Sequence, residues 1–296
     1  MRTYRGAFFV IVFVPSLLIL SSCRKQDASK IEENTSEQNA WELTKVGDIE
    51  FKCSSFCFVR IQYSSRYGGG YEGARGRPGS PGRGYRGYSG VGRWAVDYPD
   101  SDLNLSARFQ EVTGLPTDPN GKVMQLTDTD LNQYPFIYIS EPGDLVLSEE
   151  EVASLRKYLL DGGFLMADDF WGEDEWHNVY YEIKRVFPER EPLELSLNHP
   201  IFHCFYDIDE KPQVPSIGHA LSGRDSGVTW ERHDAREVHY KALYNDKGRM
   251  MAIFCHNTDL ADGWEREGEN EWYYREFSLK KAFPMGINIV VYALTH

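Results

Sequence analysis

Three segments of this chain stay apolar where a surface strand would alternate: FIYIS (residues 136–140), FLMA (164–167) and MMAIFC (250–255). A strand with one wet face shows a period of two, whereas a strand covered on both faces reads as an unbroken apolar run. Helical patterns lie between these runs. SDLNLSARFQEVTG (101–114) opens on a Ser101/Asp102 cap and stops at Gly114. SEEEVASLRKYLLDGG (148–163) pairs Ser148 with Glu151 as a capping box, buries Val152, Leu155, Tyr158 and Leu159, and stops at Gly162. DEWHNVYYEIKRVFP (174–188) predicts a further helix, and SLKKAFPMGINIVVYALTH (278–296) a mostly apolar closing one. CFVRIQYSS (57–65), KVMQL (122–126) and PIFHCFYDI (200–208) read as additional strands. Helices alternating with doubly covered strands predict an α/β three-layer arrangement with a mainly parallel central sheet; if its order is flavodoxin-like, the carboxyl ends of the strands are neighbours.

In open sheets of this kind, ligands bind beyond the carboxyl ends of the strands. Polar residues gather at four such ends. RWAVDYPDSDLN (93–104) brings Asp97, Tyr98 and Asp100 after the first strand and its glycine-rich loop. FIYIS leads to Glu141, FLMA to Asp168, Asp169 and Trp171, and MMAIFC to His256, Asn257 and Asp259. Carboxylates a few Å apart cannot all ionise cheaply, so one holds its proton or a cation enters. Two chemistries fit: a carboxylate–histidine acid/base site centred on Asp168, Asp169 and His256, or oxygen ligands for a divalent cation. A purely structural account also fits, with Asp168 capping a helix, Asp169 accepting backbone N–H groups and HNTD (256–259) forming an Asx turn.

Other signals are weaker. His199 and His203 flank a proline and suit structural roles, while His233 and His239 fall in a charged stretch expected to be solvated. GWEREGENEWYYREF (263–277) reads as a surface loop able to offer an aromatic rim. Cys204 and Cys255 sit in apolar runs and are expected as small buried hydrophobes. No GxSxG elbow, P-loop or CxxC pair occurs in the sequence. A net charge of −13 argues against nucleic acid, which needs a basic face.

The N-terminus carries an address. Arg2 and Arg5 precede AFFVIVFVPSLLIL (7–20), too short to span a bilayer and suited to a signal-peptide core, residues 1–22 in all. Leu20-Ser21-Ser22-Cys23 resembles the bacterial lipobox, which implies lipidation of Cys23. Acyl chains add roughly 0.8 kcal/mol per buried CH₂ and would hold the protein on a membrane. Arg24, in place of an aspartate, implies the outer membrane facing the periplasm. Residues 23–50 read as the lipidated cysteine and a polar tether, and 51–296 as the domain. Within that domain the Gly/Arg-rich segment 67–94 is too poor in apolar residues to build core, and is expected as a mobile loop.

GRWAVDYPDSDLN, YPFIYISEPG, LRKYLLDGGFLMADDFWG, NHPIFHC and GWEREGE…MGINIVVYALTH together resemble the bacterial domain of unknown function 4159, over about residues 54–296. That resemblance implies a class I glutamine amidotransferase-like fold, without an assigned activity. Amidotransferases place a nucleophilic cysteine on a tight strand-to-helix turn. The matching turn here, MADDFWG, holds Asp168 and Asp169 instead, so glutaminase chemistry is not expected. Three readings follow: an envelope lipoprotein binding a small polar or carbohydrate-like ligand with a cation; a hydrolase using Asp168 or Asp169 with His256; and a scaffold that docks another envelope protein.

Overall fold

The computed structural model describes residues 55–66 and 92–296, together with the backbone of a short hairpin pairing Thr44–Val46 with Ile49–Phe51. The expected signal peptide, Cys23, nearly all of the tether and most of the Gly/Arg-rich segment lie outside the described residues. Among the described residues no helix is long and apolar enough to cross a membrane.

Seven strands form the central sheet: β1 (Val59–Ile61), β2 (Lys122–Met124), β3 (Phe136–Ser140), β4 (Phe164–Phe170), β5 (Leu193–Glu194), β6 (His239–Tyr244) and β7 (Met250–His256). Their order is β2-β1-β3-β4-β7-β6-β5. The first five are mutually parallel, while β6 and β5 are added antiparallel at one edge. Counted along the chain, the parallel strands lie 2-1-3-4-5, an order of doubly wound sheets in which the winding reverses between β1 and β3.

The continuous apolar runs are explained by two separate cores. Phe136, Tyr138, Phe164, Met166, Ile253 and Cys255 project to one face. That face is covered by α1 (Asp100–Thr113), α5 (Leu260–Glu265) and α6 (Phe283–Thr295). Ile137, Ile139, Leu165, Ala167, Ala252 and Phe254 project to the other, under α2 (Glu149–Leu160) and α3 (Gly172–Val186). Successive strand side chains alternate faces, so only a sheet wrapped on both sides makes every position apolar. The architecture is therefore an α/β sandwich.

Local signals are honoured unevenly. The Ser148/Glu151 capping box forms as read, and Gly114 closes α1 at φ 71°. Ser101 and Asp102 do not cap α1, which starts at Asp100 behind Pro99; both are buried and hold an arginine from β1. PIFHCFYDI is not a strand. Pro200 opens a 3₁₀ turn, Pro200–Phe202, capped by the His199 ring accepting from the Ile201 amide at 3.2 Å, and its apolar residues fill the α6-side core. His239 starts strand β6 and stacks on another ring, while His233 is exposed as expected. GWEREGENEWYYREF is not a surface rim: it contains α5 and the helical turns leading into α6, and Trp264 and Tyr273 are fully buried. Its aromatics are simply large apolar groups at core positions.

Candidate functional site

The site is built by an arginine. Arg60, on β1, has no exposed surface and spends every guanidinium nitrogen on the segment that follows the loop. Nε and Nη2 donate to the Asp102 carboxylate, with Nε to Oδ2 at 2.9 Å. Nη1 donates to the carbonyls of Trp94 and Val96, each at 2.9 Å, and Nη2 to Ser101 Oγ at 2.9 Å. A buried ion pair with all its hydrogen bonds satisfied fixes geometry more than it adds stability. What it fixes here is the bend carrying Asp97.

Asp97 has a left-handed backbone, φ 61°, and it is one of four such non-glycine residues among the described residues. The others are Glu141 (φ 45°), Asp169 (φ 59°) and Asn257 (φ 63°). Each costs roughly 1 kcal/mol or more relative to an ordinary conformation. All four lie at or just beyond the carboxyl edge of the parallel sheet. At Asp169 the cause is visible in the register. Between the pairs Ala167↔Phe254 and Phe170↔His256, β4 contains one residue more than β7, a bulge at Asp168–Asp169 that redirects the side chains.

The carboxylates converge. Ligand oxygens of Asp97, Asp169 and Asp259 lie within 4.8 Å of one another, and those of Asp97, Asp262 and Glu265 do the same. Asp259 caps α5, its Oδ1 accepting from the Asp262 amide at 2.8 Å. Asp262 accepts from the Ile217 amide at 2.7 Å and the Tyr273 hydroxyl at 3.1 Å. Trp171 donates its indole N–H to Asp169 Oδ1 at 3.3 Å. Asp97 differs from all of these: it is 4% exposed, and neither of its carboxylate oxygens accepts from an N–H or O–H donor among the described residues, its close polar neighbour being the Glu265 carboxyl, with which it can share a proton. Nearby, Asp168 Oδ1, the Tyr138 hydroxyl and Ser140 Oγ are also buried without a partner.

Burial sets the protonation. It raises Asp97, Asp169 and Asp259 well above the usual carboxylate range, and repulsion from neighbouring carboxylates, Asp262 and Glu265 for Asp97, adds to it. Burial lifts Asp168 to about 8, against the opposing amides of Ala261, Asp169 and Leu260. It also lifts Glu141 to about 7 even though Arg93 pairs with it at 2.5 Å. Without a cation, several of these acids hold protons at neutral pH.

The remaining sequence candidates do not add ligand oxygens to this cluster. Asp100 is exposed in the first turn of α1. Trp171 is buried, so it offers no open ring for stacking. Asn257 is a latch, with Oδ1 accepting from the Gly172 amide at 2.8 Å and Nδ2 donating to the Glu237 carbonyl at 2.7 Å. His256 belongs to the α3 side. Its ring lies 5.0 Å from Phe170, 5.5 Å from Trp176 and 5.6 Å from His239, and Nε2 meets the Gly172 carbonyl at 3.1 Å. Burial lowers its pKa to about 4. Its hydrogen-bond and stacking partners are these groups and not Asp168 or Asp169. Arg60, Asp262 and Glu265 escaped the sequence reading, although a lone arginine within an apolar strand was a usable signal for the first.

Fold and site together define an α/β sandwich domain with a buried cluster of carboxylates at the carboxyl edge of its parallel strands. The chain belongs to the family of the domain of unknown function DUF4159, whose model matches residues 85–294. No curated protein matches the sequence.

Proposed function

We propose that this domain captures a small polar ligand, carbohydrate-like in being rich in hydroxyl and carboxylate oxygens, with a cation as its companion, in the acidic pocket. We propose further that it works as an envelope lipoprotein held by lipidated Cys23 in the outer membrane, facing the periplasm. The observation that carries the ligand reading is Asp97, whose two buried oxygens accept from no N–H or O–H donor among the described residues, as is true also of Asp168 Oδ1. An unpaired buried polar group costs about 1–3 kcal/mol, and more when charged, so a pocket that retains several is suited to a partner that satisfies them. Recognition runs through oxygen contacts, since Trp171 is closed off. Glutaminase activity has no support at the β4 turn, where Asp169 takes the left-handed position and no cysteine is present.

Isothermal titration of the full-length protein in detergent against neutral, amino- and uronic-acid sugars tests the ligand reading. Saturable heat that disappears in Asp97→Asn supports it; no heat from any sugar, with unchanged melting, overturns it. The anchor is tested separately by incorporation of labelled palmitate, which should be lost in Cys23→Ser.

One observation favours an acid/base reading of the same pocket: Asp168 at about 8 and Glu141 at about 7 both exchange protons near neutrality. In that reading Asp168 is a general acid for hydrolysis without help from His256. Loss of turnover in a correctly folded Asp168→Asn variant would establish it.

A further inference from the structure

The geometry points to one particular seat for the cation: Asp97, Asp169 and Asp259 bind a single hard divalent ion of the calcium or magnesium kind. This rests on the pocket being a binding site, and it names the ion class and the residues that hold it. Three carboxylate oxygens within 4.8 Å of one another are close enough to share one ion, because calcium–oxygen contacts of about 2.3–2.6 Å place two ligand oxygens no more than about 5 Å apart. The set contains no sulfur or nitrogen donor, which disfavours zinc and copper. Asp97 supplies the independent sign of a ligand: a carboxylate more than nine-tenths buried, close to both neighbours, with no N–H or O–H donor to either oxygen among the described residues. Asp259 keeps only one oxygen occupied, by the Asp262 amide, and Asp169 one, by the Trp171 indole.

The second cluster, Asp97 with Asp262 and Glu265, is the less suitable seat because it already holds a cation. Arg266 Nε sits 2.7 Å from Glu265 and 3.5 Å from Asp262, and Asp262 also accepts from the Ile217 amide and Tyr273. A guanidinium there offsets the charge of both acids, though Glu265 Oε2 lacks a hydrogen bond among the described residues. The first cluster has no arginine or lysine in direct ion-pair contact among the described residues. Coulomb attraction at low effective dielectric therefore favours the ion beside Asp169 and Asp259. Three protein oxygens leave calcium short of its usual six to eight, so the remaining positions are open to hydroxyl or carboxylate oxygens of a bound ligand. That accounts for both halves of the proposed function with one set of residues.

The test uses the full-length protein in detergent, stripped with EDTA and titrated with CaCl₂, MgCl₂ and ZnCl₂. The expected result is one calcium or magnesium ion per chain and a raised melting temperature. Asp97→Asn, and separately Asp169→Asn in case the first variant fails to fold, should weaken binding at least tenfold. Glu265→Gln should leave the stoichiometry of one ion per chain intact, since Glu265 is not one of the three ligands. Binding lost in Glu265→Gln but retained in Asp169→Asn would overturn the assignment of the seat, and tighter zinc than calcium or magnesium would overturn the ion class. Sugar heat without any metal binding would sink the cation alone; absence of both would sink the pocket reading itself.

Discussion

Asp168 gives the sharpest test of the electrostatics, because its consequence is a slope rather than a single number. Burial raises it from 3.8 to about 8. Between those values the folded chain keeps a proton that the unfolded chain has released. Each such proton lowers stability by about 1.4 kcal/mol per pH unit as pH rises. The contribution is greatest at acid pH and is lost progressively as pH climbs from about 4 towards 8. From pH 5 to pH 7 the loss assigned to Asp168 is about 2.7 kcal/mol. In the Asp168→Asn variant the side chain cannot ionise, yet its amide oxygen can still accept from the Ala261 amide, which lies 3.1 Å from Asp168 Oδ2. The variant should therefore match the wild type within about 1 kcal/mol near pH 5 and become relatively more stable by about 2–3 kcal/mol at pH 7. Asp97, Asp169 and Asp259 bend both curves in the same direction, so the difference between the proteins isolates Asp168. Urea unfolding in EDTA at pH 5, 6, 7 and 8, with m-values held equal, measures it. Parallel curves would refute the reasoning, since they would mean that Asp168 is already ionised in the folded chain.

Other perturbations probe the scaffold. Arg60→Leu leaves Asp102 buried without its partner and should cost about 3–5 kcal/mol in chemical denaturation, with Arg60→Leu/Asp102→Leu recovering part of the loss. Gly163→Ala places a methyl 2.2 Å from the Tyr158 ring, whose hydroxyl donates to the Tyr134 carbonyl, and should destabilise by about 1–3 kcal/mol in the same assay. His256→Phe retains the ring stack while losing the contact with Gly172; calorimetry should show metal and sugar binding unchanged.

The helices, the two cores and the gathering of acids at one edge were legible because each follows from periodicity and from where parallel strands end. FLMA and MMAIFC announce a doubly covered sheet, and the acids after them mark its carboxyl rim. The face of each side chain was legible in principle but needed register. Cys255 shares a face with Phe164 and Met166, so His256 must fall on the opposite one, with Leu165 and Ala167. The bulge at Asp168–Asp169 breaks that parity, and no composition rule places it. PIFHCFYDI was misread because an apolar run after a proline looks the same whether it pairs in a sheet or packs beneath a helix. The strand VHYKALY, β6, which lies next to the edge strand β5, was hidden by Lys241, whose ammonium sits half-buried over the Trp176 ring.

Durability and capture pull this molecule in opposite directions at Asp97, Glu141, Asp169 and Asn257. Glycine would relax all four backbones, and at Asp97 it would also remove a carboxylate that burial opposes. Asp97→Gly should accordingly melt higher than the parent in EDTA, by about 2 °C for each kcal/mol recovered. The same variant would be deaf to calcium. Hardening the domain against heat at these corners would, on the proposed reading, remove the seat of its cation.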